Sequence, residues 1–432
     1  MFPGAFSYRT ALILLLLATR SVAVGAAENS LPDLIALGAP TRQAELVAIE
    51  ANGDLGFRDV ADKAFSIPLS NLIRWSTPTS PRARDELILR DGSRICLAAA
   101  WAGESSFGTG RVGANALTRA LGEVELQRSM VRAVFWQLPP NAIARQKRID
   151  SLLNAQAKVE DSDLLLLDNG DVLTGTLTRI GQAGINFDGE EDDIRASFFS
   201  PLGAIELPIE RVRGICLSQA TDVPPSNRSV ATPALLVGLR DGSLIATDSV
   251  AYDGNEVKLR SAVLGEKKGV ALKEVVSLQT HNKEVLYLAD LDAAGYRHEP
   301  YFDLAWPYRR DRNALGAPLQ TGGRTYPIGL GMHSAARLTF ELDGSYDRFA
   351  ATVAVDDAAK DGGSVVFRVF LRSGEDWQEA YASGIVRGGD PPADLAVDLA
   401  GASQLALAVD YADRGDERDY ANWLDARLER AE

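Results

Sequence analysis

Three short segments in the first two thirds of the chain share a strand, tight turn, strand pattern centred on an Asp-Gly or Asn-Gly pair. Such pairs tolerate positive φ angles and are the strongest short-range signal for a β-hairpin. The turn glycines Gly92, Gly170 and Gly242 are 78 and 72 residues apart. A pattern that returns at this interval predicts a series of small β-units rather than one large domain.

The units also end in a similar way. In one of them, the alternating run 205–207 is followed at short spacing by Val212 and Ile215. The alternation predicts a strand with one buried face, and the short spacing predicts a helical turn into a last strand. A weaker copy, with its turn at Asn52-Gly53, comes first in the chain.

We therefore expect tandem small β-barrel or β-roll repeats, similar in architecture to Sm-like or SH3-like modules. They lack the basic stripe interleaved with aromatic residues that is typical of nucleic-acid binders, so we interpret them as structural or protein-contact units. The expected segments are a weak first repeat at 28–80, repeats at 81–138, 163–218 and 233–281, a helical connector at 139–162 and a linker at 219–232.

The first 27 residues have the features of a secretory signal peptide. Arg9 precedes a short apolar run, and small residues lead up to Glu28. The run is shorter than the roughly 20 apolar residues that a membrane span needs, and Arg20 interrupts it, which disfavours the alternative of an N-terminal membrane anchor. We expect residues 1–27 to be removed and the chain to be exported to the periplasm, the extracellular space or the cell surface, with no membrane span in the mature chain.

The composition disfavours several kinds of site. Lys and Arg number 45 against 59 Asp and Glu, a formal net charge of −14, and an acidic chain without a basic tract is a poor partner for nucleic acid. Two Cys and three His exclude a disulfide-dense scaffold, a multi-cysteine zinc site and a histidine-rich metal cage. The sequence has no nucleophile elbow, zinc-protease helix or phosphate-binding loop, and we expect it not to be an enzyme.

The two cysteines leave two arrangements open. An exported chain with two cysteines could form one disulfide. Cys96 follows a hairpin turn whereas Cys216 ends a later segment, so the two occupy different positions in their repeats. We therefore favour two buried, unpaired thiols.

The last third of the chain has a different pattern. After about residue 282, aromatic and arginine residues cluster, and alternating strands then follow one another without a long helix between them. Short strands separated by frequent turns predict a β-sandwich or jelly roll, here at 283–432. The expected fold class of the whole chain is thus all-β, with tandem repeats followed by a sandwich.

This last third resembles a known family, on four motifs that occur in the family's order: 287–292, 326–334, 355–357 and 419–426. It is similar to the NPCBM domain, a family of carbohydrate-binding modules that includes the modules attached to glycoside hydrolase family 98 enzymes. The resemblance implies a galactose-binding-like jelly roll that holds a sugar in its loops, and some members bind a structural calcium ion. One departure is visible, because the family usually has His where this chain has Tyr420.

Candidate sugar contacts follow from the resemblance and from chemistry. Sugars present apolar CH faces to aromatic rings, and their hydroxyls bond to a few charged or amide groups. For each tryptophan, packing in the core is the alternative, and His333 could equally be a structural hydrogen-bonding residue. The candidates are Trp306, Tyr308, Arg310, His333, Asn422 and Trp423, with Trp377 as a further stacking residue.

An acidic run near the C-terminus is a candidate calcium site. Calcium takes six to eight oxygen ligands, which closely spaced carboxylates and main-chain carbonyls can supply. The alternative is that Arg414 and Arg418 neutralise these acids. The candidate ligands of this structural calcium are Asp410, Asp413, Asp416 and Asp419.

The leading hypothesis is an exported, non-catalytic carbohydrate-binding protein. Its C-terminal jelly roll binds a glycan, of galactose type if the resemblance holds, and its β-repeats act as spacers or contact modules. The alternative is a structural or protein-interaction protein of the cell envelope with envelope proteins as partners and no sugar ligand.

Overall fold

The expected β-hairpins are present in the computed structural model, and strands are the main regular structure of the described residues, with one α-helix and short 3-10 turns, which confirms the all-β fold class. The expected signal peptide at 1–27 and the whole of the expected linker at 219–232 lie outside the described residues. The structure describes residues 31–50, 52–76, 84–98, 105–106, 113–159, 161–182, 194–218, 235–261, 265–281, 284–300, 304–399 and 401–430.

Four modules form the N-terminal part. The first contains β1 (Asp33–Ala36), β2 (Arg42–Ile49), β3 (Leu55–Asp59), β4 (Ala64–Ile67) and β5 (Leu72–Trp75). The second contains β6 (Glu86–Leu89), β7 (Arg94–Cys96), β8 (Ser105–Ser106), β9 (Gly113–Thr118), β10 (Gly122–Gln127) and β11 (Val131–Phe135). The third contains β12 (Asp163–Leu167), β13 (Val172–Gln182), β14 (Ile194–Ser200), β15 (Gly203–Pro208) and β16 (Val212–Cys216). The fourth contains β17 (Leu235–Leu239), β18 (Leu244–Thr247), β19 (Ser249–Tyr252), β20 (Glu256–Ser261), β21 (Gly265–Ala271) and β22 (Val275–Thr280).

The repeated turns share one geometry. In the second module the main-chain N–H of Leu89 donates to the carbonyl of Ser93 at 2.9 Å, and the N–H of Ser93 donates to Asp91 Oδ1 at 2.8 Å. The turn glycine Gly92 has a φ of 91°, a region that favours glycine, and Gly170 and Gly242 have the same conformation. The hairpins predicted at these three positions are confirmed.

The first module is built slightly differently. Its Asn52-Gly53 pair does form a tight turn, with the N–H of Gly53 donating to Glu50 at 2.9 Å. This turn joins β2 to β3, whereas in the other modules the corresponding turn joins the first strand to the second. The first strand of this module, β1, therefore precedes the segment from which the weak repeat was recognised.

The expected helical turn before the last strand is present in every module. In each module the first and last strands then pair antiparallel, which bends the sheet back on itself into a small, partly closed barrel. The four 3-10 turns are Leu69–Asn71, Arg128–Met130, Ile209–Arg211 and Leu272–Glu274.

The modules do not follow one another in space in chain order. Strand β5 of the first module pairs with β22 of the fourth, β18 of the fourth pairs with β7 of the second, and β11 of the second pairs with β16 of the third. The spatial order is therefore first, fourth, second, third, and strands from all four modules join in one continuous sheet.

The contact between the second and fourth modules is reciprocal. The N–H of Cys96 donates to Ser243 Oγ, and the N–H of Ala246 donates to Ser93 Oγ, both at 2.9 Å. Ser93 and Ser243 follow the turn glycines of their modules and are fully buried. The two modules therefore meet about a local two-fold axis, as the subunits of a symmetric dimer do.

Replacing Ser243 by alanine should destabilise the chain. The substitution removes the hydrogen bond that the buried N–H of Cys96 donates to Ser243, which costs about 1–3 kcal/mol. Chemical denaturation measures the effect, and Ser249→Ala, at an exposed position on β19, is the matched control. Equal stability of the two variants would contradict the reciprocal contact.

The described part of the chain has one α-helix, α1 (Ala142–Gln156), inside the expected connector. Asn141 caps its N-terminus by accepting the N–H of Ala144 at 2.9 Å. The helix covers a small apolar cluster that includes Cys216. Both Cys96 and Cys216 are buried, and no disulfide joins them, as favoured from the sequence. Among the described residues, no helix has the length and apolar character needed to cross a membrane.

The C-terminal part is a two-layer β-sandwich. One sheet has the order β25-β28-β36-β30-β34, with β23 added on β36, and the other has the order β24-β29-β35-β31-β32, with β33 added on β31. Strands β26 and β27 form a separate hairpin. The strands are β23 (Val285–Tyr287), β24 (Gly295–His298), β25 (Arg309–Arg310), β26 (Leu319–Thr321), β27 (Arg324–Tyr326), β28 (Gly329–Met332), β29 (Ala336–Glu341), β30 (Arg348–Val355), β31 (Ser364–Ser373), β32 (Asp376–Ala382), β33 (Val386–Arg387), β34 (Ala393–Asp398), β35 (Gln404–Tyr411) and β36 (Ala421–Glu429).

The sandwich and the first module share a core. Ile35, Leu37 and Ile73 of the first module are buried within the hydrophobic cluster of the sandwich. Beside them, Arg74 Nε lies 2.6 Å from Asp425 Oδ2 in an ion pair whose side chains are 3% and 0% exposed. The sandwich is thus held to the modules by apolar burial and by a charge pair that is sealed from water.

Candidate functional site

Three loops meet at one end of the sandwich. They are the described part of the β24–β25 loop, at 299–300 and 304–308, the β28–β29 turn at 333–335 and the β35–β36 loop at 412–420. Each joins a strand of one sheet to a strand of the other, so their side chains gather over the open edge between the layers. Binding residues often lie on such loops, held in place by a rigid scaffold.

An aromatic cluster lies at this end. The ring of Trp306 stacks on His333, with centroids 4.6 Å apart and an angle of 8° between the planes. Tyr420 packs against both rings at 6.0 Å, and His298 meets His333 edge-on at 6.0 Å. His333 is buried, whereas Trp306, His298 and Tyr420 are partly exposed. We call these four residues the Trp306 cluster.

Strand β24 fixes the position of Trp306. The hydroxyl of Tyr296 donates to the main-chain carbonyl of Trp306 at 2.6 Å, and the N–H of Trp306 donates to His298 Nδ1 at 3.3 Å. Both main-chain groups of the residue are therefore held by side chains of a sheet. The indole ring is a preorganised platform, which lowers the entropic cost of binding to it.

The two histidines of the cluster are uncharged at neutral pH. Desolvation, with a smaller contribution from nearby His298, lowers the pKa of His333 to about 4. Desolvation also lowers the pKa of His298, while the charge of Asp416 acts in the opposite direction on both. Neutral imidazoles donate one hydrogen bond and accept another.

The pKa of His333 predicts a pH effect on stability. In the unfolded chain this residue takes up a proton near pH 6.5, but in the folded chain only near pH 4, so protonation favours unfolding as the pH falls through this window. When the pH falls from 6.5 to 5, the free energy of unfolding of the wild type should decrease by up to about 2 kcal/mol more than that of His333→Gln. Urea unfolding at several pH values measures this difference, and parallel curves for the two proteins would contradict the buried, neutral imidazole.

Tyr308 and Arg310 lie beside the cluster rather than in it. Tyr308 packs on Tyr296 with ring centroids 5.1 Å apart. Arg310 is exposed and donates to the carbonyl of Leu291 at 2.6 Å and to Asp292 Oδ1 at 3.1 Å. Tyr308 therefore supports the residue that holds Trp306, and the guanidinium of Arg310 is engaged on the neighbouring segment.

The structure buries Asn422 and Trp423, which removes both from the candidate site. Trp423 is fully buried and packs edge-on against Phe367 at 5.1 Å in the sandwich core. Asn422 is also fully buried and donates from Nδ2 to Asp356 at 2.7 Å. Neither side chain has a surface that a ligand can reach, because both are 0% exposed.

Arginine pairing accounts for part of the acidic run. Arg368 donates from Nε to Asp410 at 2.7 Å, and Arg387 pairs with Asp413. These partners differ from the two arginines expected from the sequence. In the residues that the structure describes, no group of three or more His, Cys, Asp or Glu is arranged to hold a metal ion.

The other two acids lie near the Trp306 cluster. Asp416 acts electrostatically on His298 and His333. Asp419 is fully buried and accepts the N–H of Ser364 at 2.8 Å, and desolvation raises its pKa to about 6. The loop thus offers the partly exposed carboxylate of Asp416 to a ligand that reaches Trp306.

Sequence reasoning identified Trp306 and His333 but missed their neighbours. Tyr296 and His298 lie on a strand whose alternation places both on one face, and this was the available signal for them. Tyr420 was noted only as a departure from the family pattern. The contacts among these residues join parts of the chain that are far apart in sequence, and composition does not report such contacts.

Comparison with known protein families identifies the family of the β-sandwich. Residues 284–429 match the NPCBM/NEW2 domain model. The chain is 26% identical over 227 residues to a "Putative endo-alpha-N-acetylgalactosaminidase" of Renibacterium salmoninarum, covering 49% of this chain and 15% of that protein. It is 31% identical over 121 residues to "Alpha-1,3-galactosidase B" of Akkermansia muciniphila, covering 27% of this chain and 15% of that protein. The chain thus spans about 15% of the length of these curated relatives.

Solved structures to which the chain is similar include carbohydrate-binding modules of Clostridium perfringens. One is the CBM51 of a GH95 protein in complex with methyl-galactose, at 23% identity and a TM-score of 0.29, covering 33% of this chain and 99% of that one. Another contains the CBM51-2 and INT domains of ZmpB, at 22% identity and a TM-score of 0.30, covering 46% of this chain and 40% of that one. The C-terminal third of this chain, at residues 284–429, is an NPCBM/NEW2 domain.

Proposed function

We propose that this chain is an exported, non-catalytic carbohydrate-binding protein whose NPCBM domain binds a glycan at the Trp306 cluster. The observation that carries the proposal is the partly exposed indole of Trp306, stacked on buried His333 and fixed by Tyr296 and His298. The family match to a carbohydrate-binding module supports the class of ligand. The signal-peptide pattern of residues 1–27 supports export.

The chemistry of the cluster suits a neutral sugar. The CH groups of a pyranose ring pack against an indole face, and its hydroxyls bond to neutral imidazoles and to a carboxylate. The Trp306 ring, His298 and Asp416 supply these groups on the accessible side of the cluster. Because His333 lies beneath the indole, it sets the height and tilt of the platform.

We propose a galactose-configured glycan as the ligand. The two curated relatives are named as enzymes for α-linked galactose and N-acetylgalactosamine. The aligned segments span only a small share of those enzymes, and in this chain we assign the domain a binding role. Glycans that end in galactose or N-acetylgalactosamine should therefore bind more strongly than other glycans.

A glycan array tests the proposal. The probe is the full chain without its first 27 residues, because Asp425 of the sandwich is paired with Arg74 of the first module. We expect retention on glycans that end in galactose or N-acetylgalactosamine, with no release of sugar from the bound glycans on incubation. A folded protein that is retained by no glycan would refute the proposal, and release of sugar would refute its non-catalytic part.

A second candidate function is a protein contact of the modules in the cell envelope. On the third module, Leu202 is 97% exposed and Phe199 is 60% exposed, and the two lie close together at the β14–β15 hairpin. Exposed apolar groups of this kind often mark interaction sites. Capture of one envelope protein by the wild type, undiminished by excess sugar but lost in Leu202→Ser, would favour this function.

A further inference from the structure

A cleft of about 250 Å³ separates the first module from the NPCBM domain. It lies between the β1–β2 turn, at Pro40 and Thr41, and the outer face of the sheet formed by β30, β34 and β36. Small side chains at Ala350, Ala351 and Ala396 leave this space open. Ligand sites in proteins favour such junctions between domains.

The floor of the cleft holds two buried charges. Arg427 and Glu429 are 5% and 4% exposed, and Arg427 Nε donates to Glu429 Oε1 at 2.8 Å. The other oxygen of Glu429, Oε2, lies 3.9 Å from Arg348 Nη1, which is beyond hydrogen-bond distance. A donor and an acceptor separated in this way can be bridged by a single hydroxyl group placed between them.

A second acceptor stands at the rim. Asp394 accepts hydrogen bonds from the hydroxyl of Thr41 at 2.8 Å and from the hydroxyl of Thr352 at 2.6 Å, one on each carboxylate oxygen. A carboxylate oxygen can accept more than one hydrogen bond, so each retains capacity. One threonine comes from the first module and the other from the sandwich, so Asp394 is fixed across the junction.

The charges that line the cleft cancel. Arg348 and Arg427 balance Asp394 and Glu429, so the site favours neither an anion nor a cation. What remains is an arrangement of fixed acceptors and one half-exposed guanidinium donor, Arg348. Such an arrangement recognises the hydroxyl groups of a neutral molecule.

The cleft is small, and part of its lining is apolar. Ile35, Pro40 and Leu395 line it with apolar surface on which CH groups can pack. Its volume falls below the roughly 300–1,000 Å³ of sites for drug-sized ligands, so its ligand is the size of one ring. We infer that this cleft binds a neutral polyhydroxylated ligand of the size of a single sugar ring. The inference goes beyond the proposed function, because none of these residues belongs to the Trp306 cluster.

Methyl NMR on the full chain tests the inference. The probes are a panel of neutral monosaccharides and sugar alcohols at millimolar concentration, and the signals observed are the methyl groups of Ile35 and Leu395. We expect saturable shifts of these signals that persist in Trp306→Ala. Ala396→Leu, which fills the cleft from an exposed position on β34, should weaken this binding by about tenfold or more. Arg348→Met, which removes the donor without filling the space, should weaken it as well.

The matched control is Ala380→Leu, at an exposed position of the other sheet, which should bind as the wild type does. The inference is overturned if no member of the panel shifts the Ile35 and Leu395 signals, or if the shifts survive in Ala396→Leu. Tighter binding of charged sugars such as galacturonate or glucosamine would overturn the assigned ligand class. Loss of these shifts in Trp306→Ala would show that they report the loop-end site instead.

Discussion

Replacing Arg74 by alanine should destabilise the folded chain by about 3–5 kcal/mol, the cost of breaking a buried ion pair by removing one partner. The substitution leaves the carboxylate of Asp425, which is 0% exposed, in the interior with the amide of Gln279 at 3.0 Å as a remaining partner. It also removes the hydrogen bond from Arg74 to the carbonyl of Ser76 at 2.7 Å and the packing of the guanidinium over the Tyr326 ring. Chemical denaturation measures the loss.

Two further variants show whether the buried charge is the cause. Arg324→Ala removes an ion pair across the same junction, to Asp33 at 3.2 Å, but these side chains are 38% and 32% exposed and the cost should be about 1 kcal/mol or less. Arg74→Met combined with Asp425→Asn removes both charges and should recover most of the stability. The buried charge is not the cause if Arg74→Ala destabilises the chain no more than Arg324→Ala does. The same conclusion holds if the double variant is as unstable as Arg74→Ala.

The ion pair between Arg74 and Asp425 joins the NPCBM domain to the first module. Arg74 and three apolar residues of the first module complete the core of the sandwich. The Trp306 cluster is therefore held in a fixed orientation relative to the modules. We expect the segment 283–432 alone to be much less stable than the same segment in the full chain.

Trp306→Ala should weaken glycan binding by about 30-fold or more, equivalent to about 2 kcal/mol, which is the scale of a dominant aromatic contact in a binding site. The substitution removes the indole ring on which the sugar packs. It also removes the ring that stacks on His333. The fold should persist because Trp306 is partly exposed and lies in a loop. Isothermal titration with a glycan retained on the array measures the change.

Trp377→Ala is the matched control for this prediction. Trp377 is a partly exposed tryptophan of the same domain, but it stacks over the Arg337 guanidinium at 4.3 Å on the other sheet. Its loss should leave the affinity unchanged. A larger loss of affinity in Trp377→Ala than in Trp306→Ala would place the binding site on that sheet and contradict the assignment.

The parts of the fold that depend on local sequence could be predicted. Asp-Gly turns and alternating strands are short-range signals, so the modules, their 3-10 turns and the sandwich were all visible in the sequence. Their spatial order was not, because the pairing of β5 with β22 or of Ser93 with Ala246 depends on surfaces that meet only after folding. No local pattern marks Arg74 as the partner of Asp425, 351 positions away.

The difference between local sequence signals and contacts made only after folding also explains which residues of the candidate site could be predicted. Trp306 and His333 could be selected by residue type, because aromatic rings and imidazoles are what a sugar site needs. Asn422 and Trp423 were selected on the same ground but are fully buried, at the part of β36 that lies between β28 and β30. A motif therefore selects a segment of chain, and burial in the folded structure decides which of its residues a ligand can reach.

The most direct test of the binding site is NMR titration of the full chain with a glycan retained on the array. The signals to follow are the indole N–H of Trp306 and the imidazole of His333, with the indole N–H of Trp377 as an internal reference. Binding at the Trp306 cluster should cause saturable shifts of the Trp306 and His333 signals while the Trp377 signal stays in place. Unchanged Trp306 and His333 signals in the presence of saturating glycan would contradict binding at this cluster.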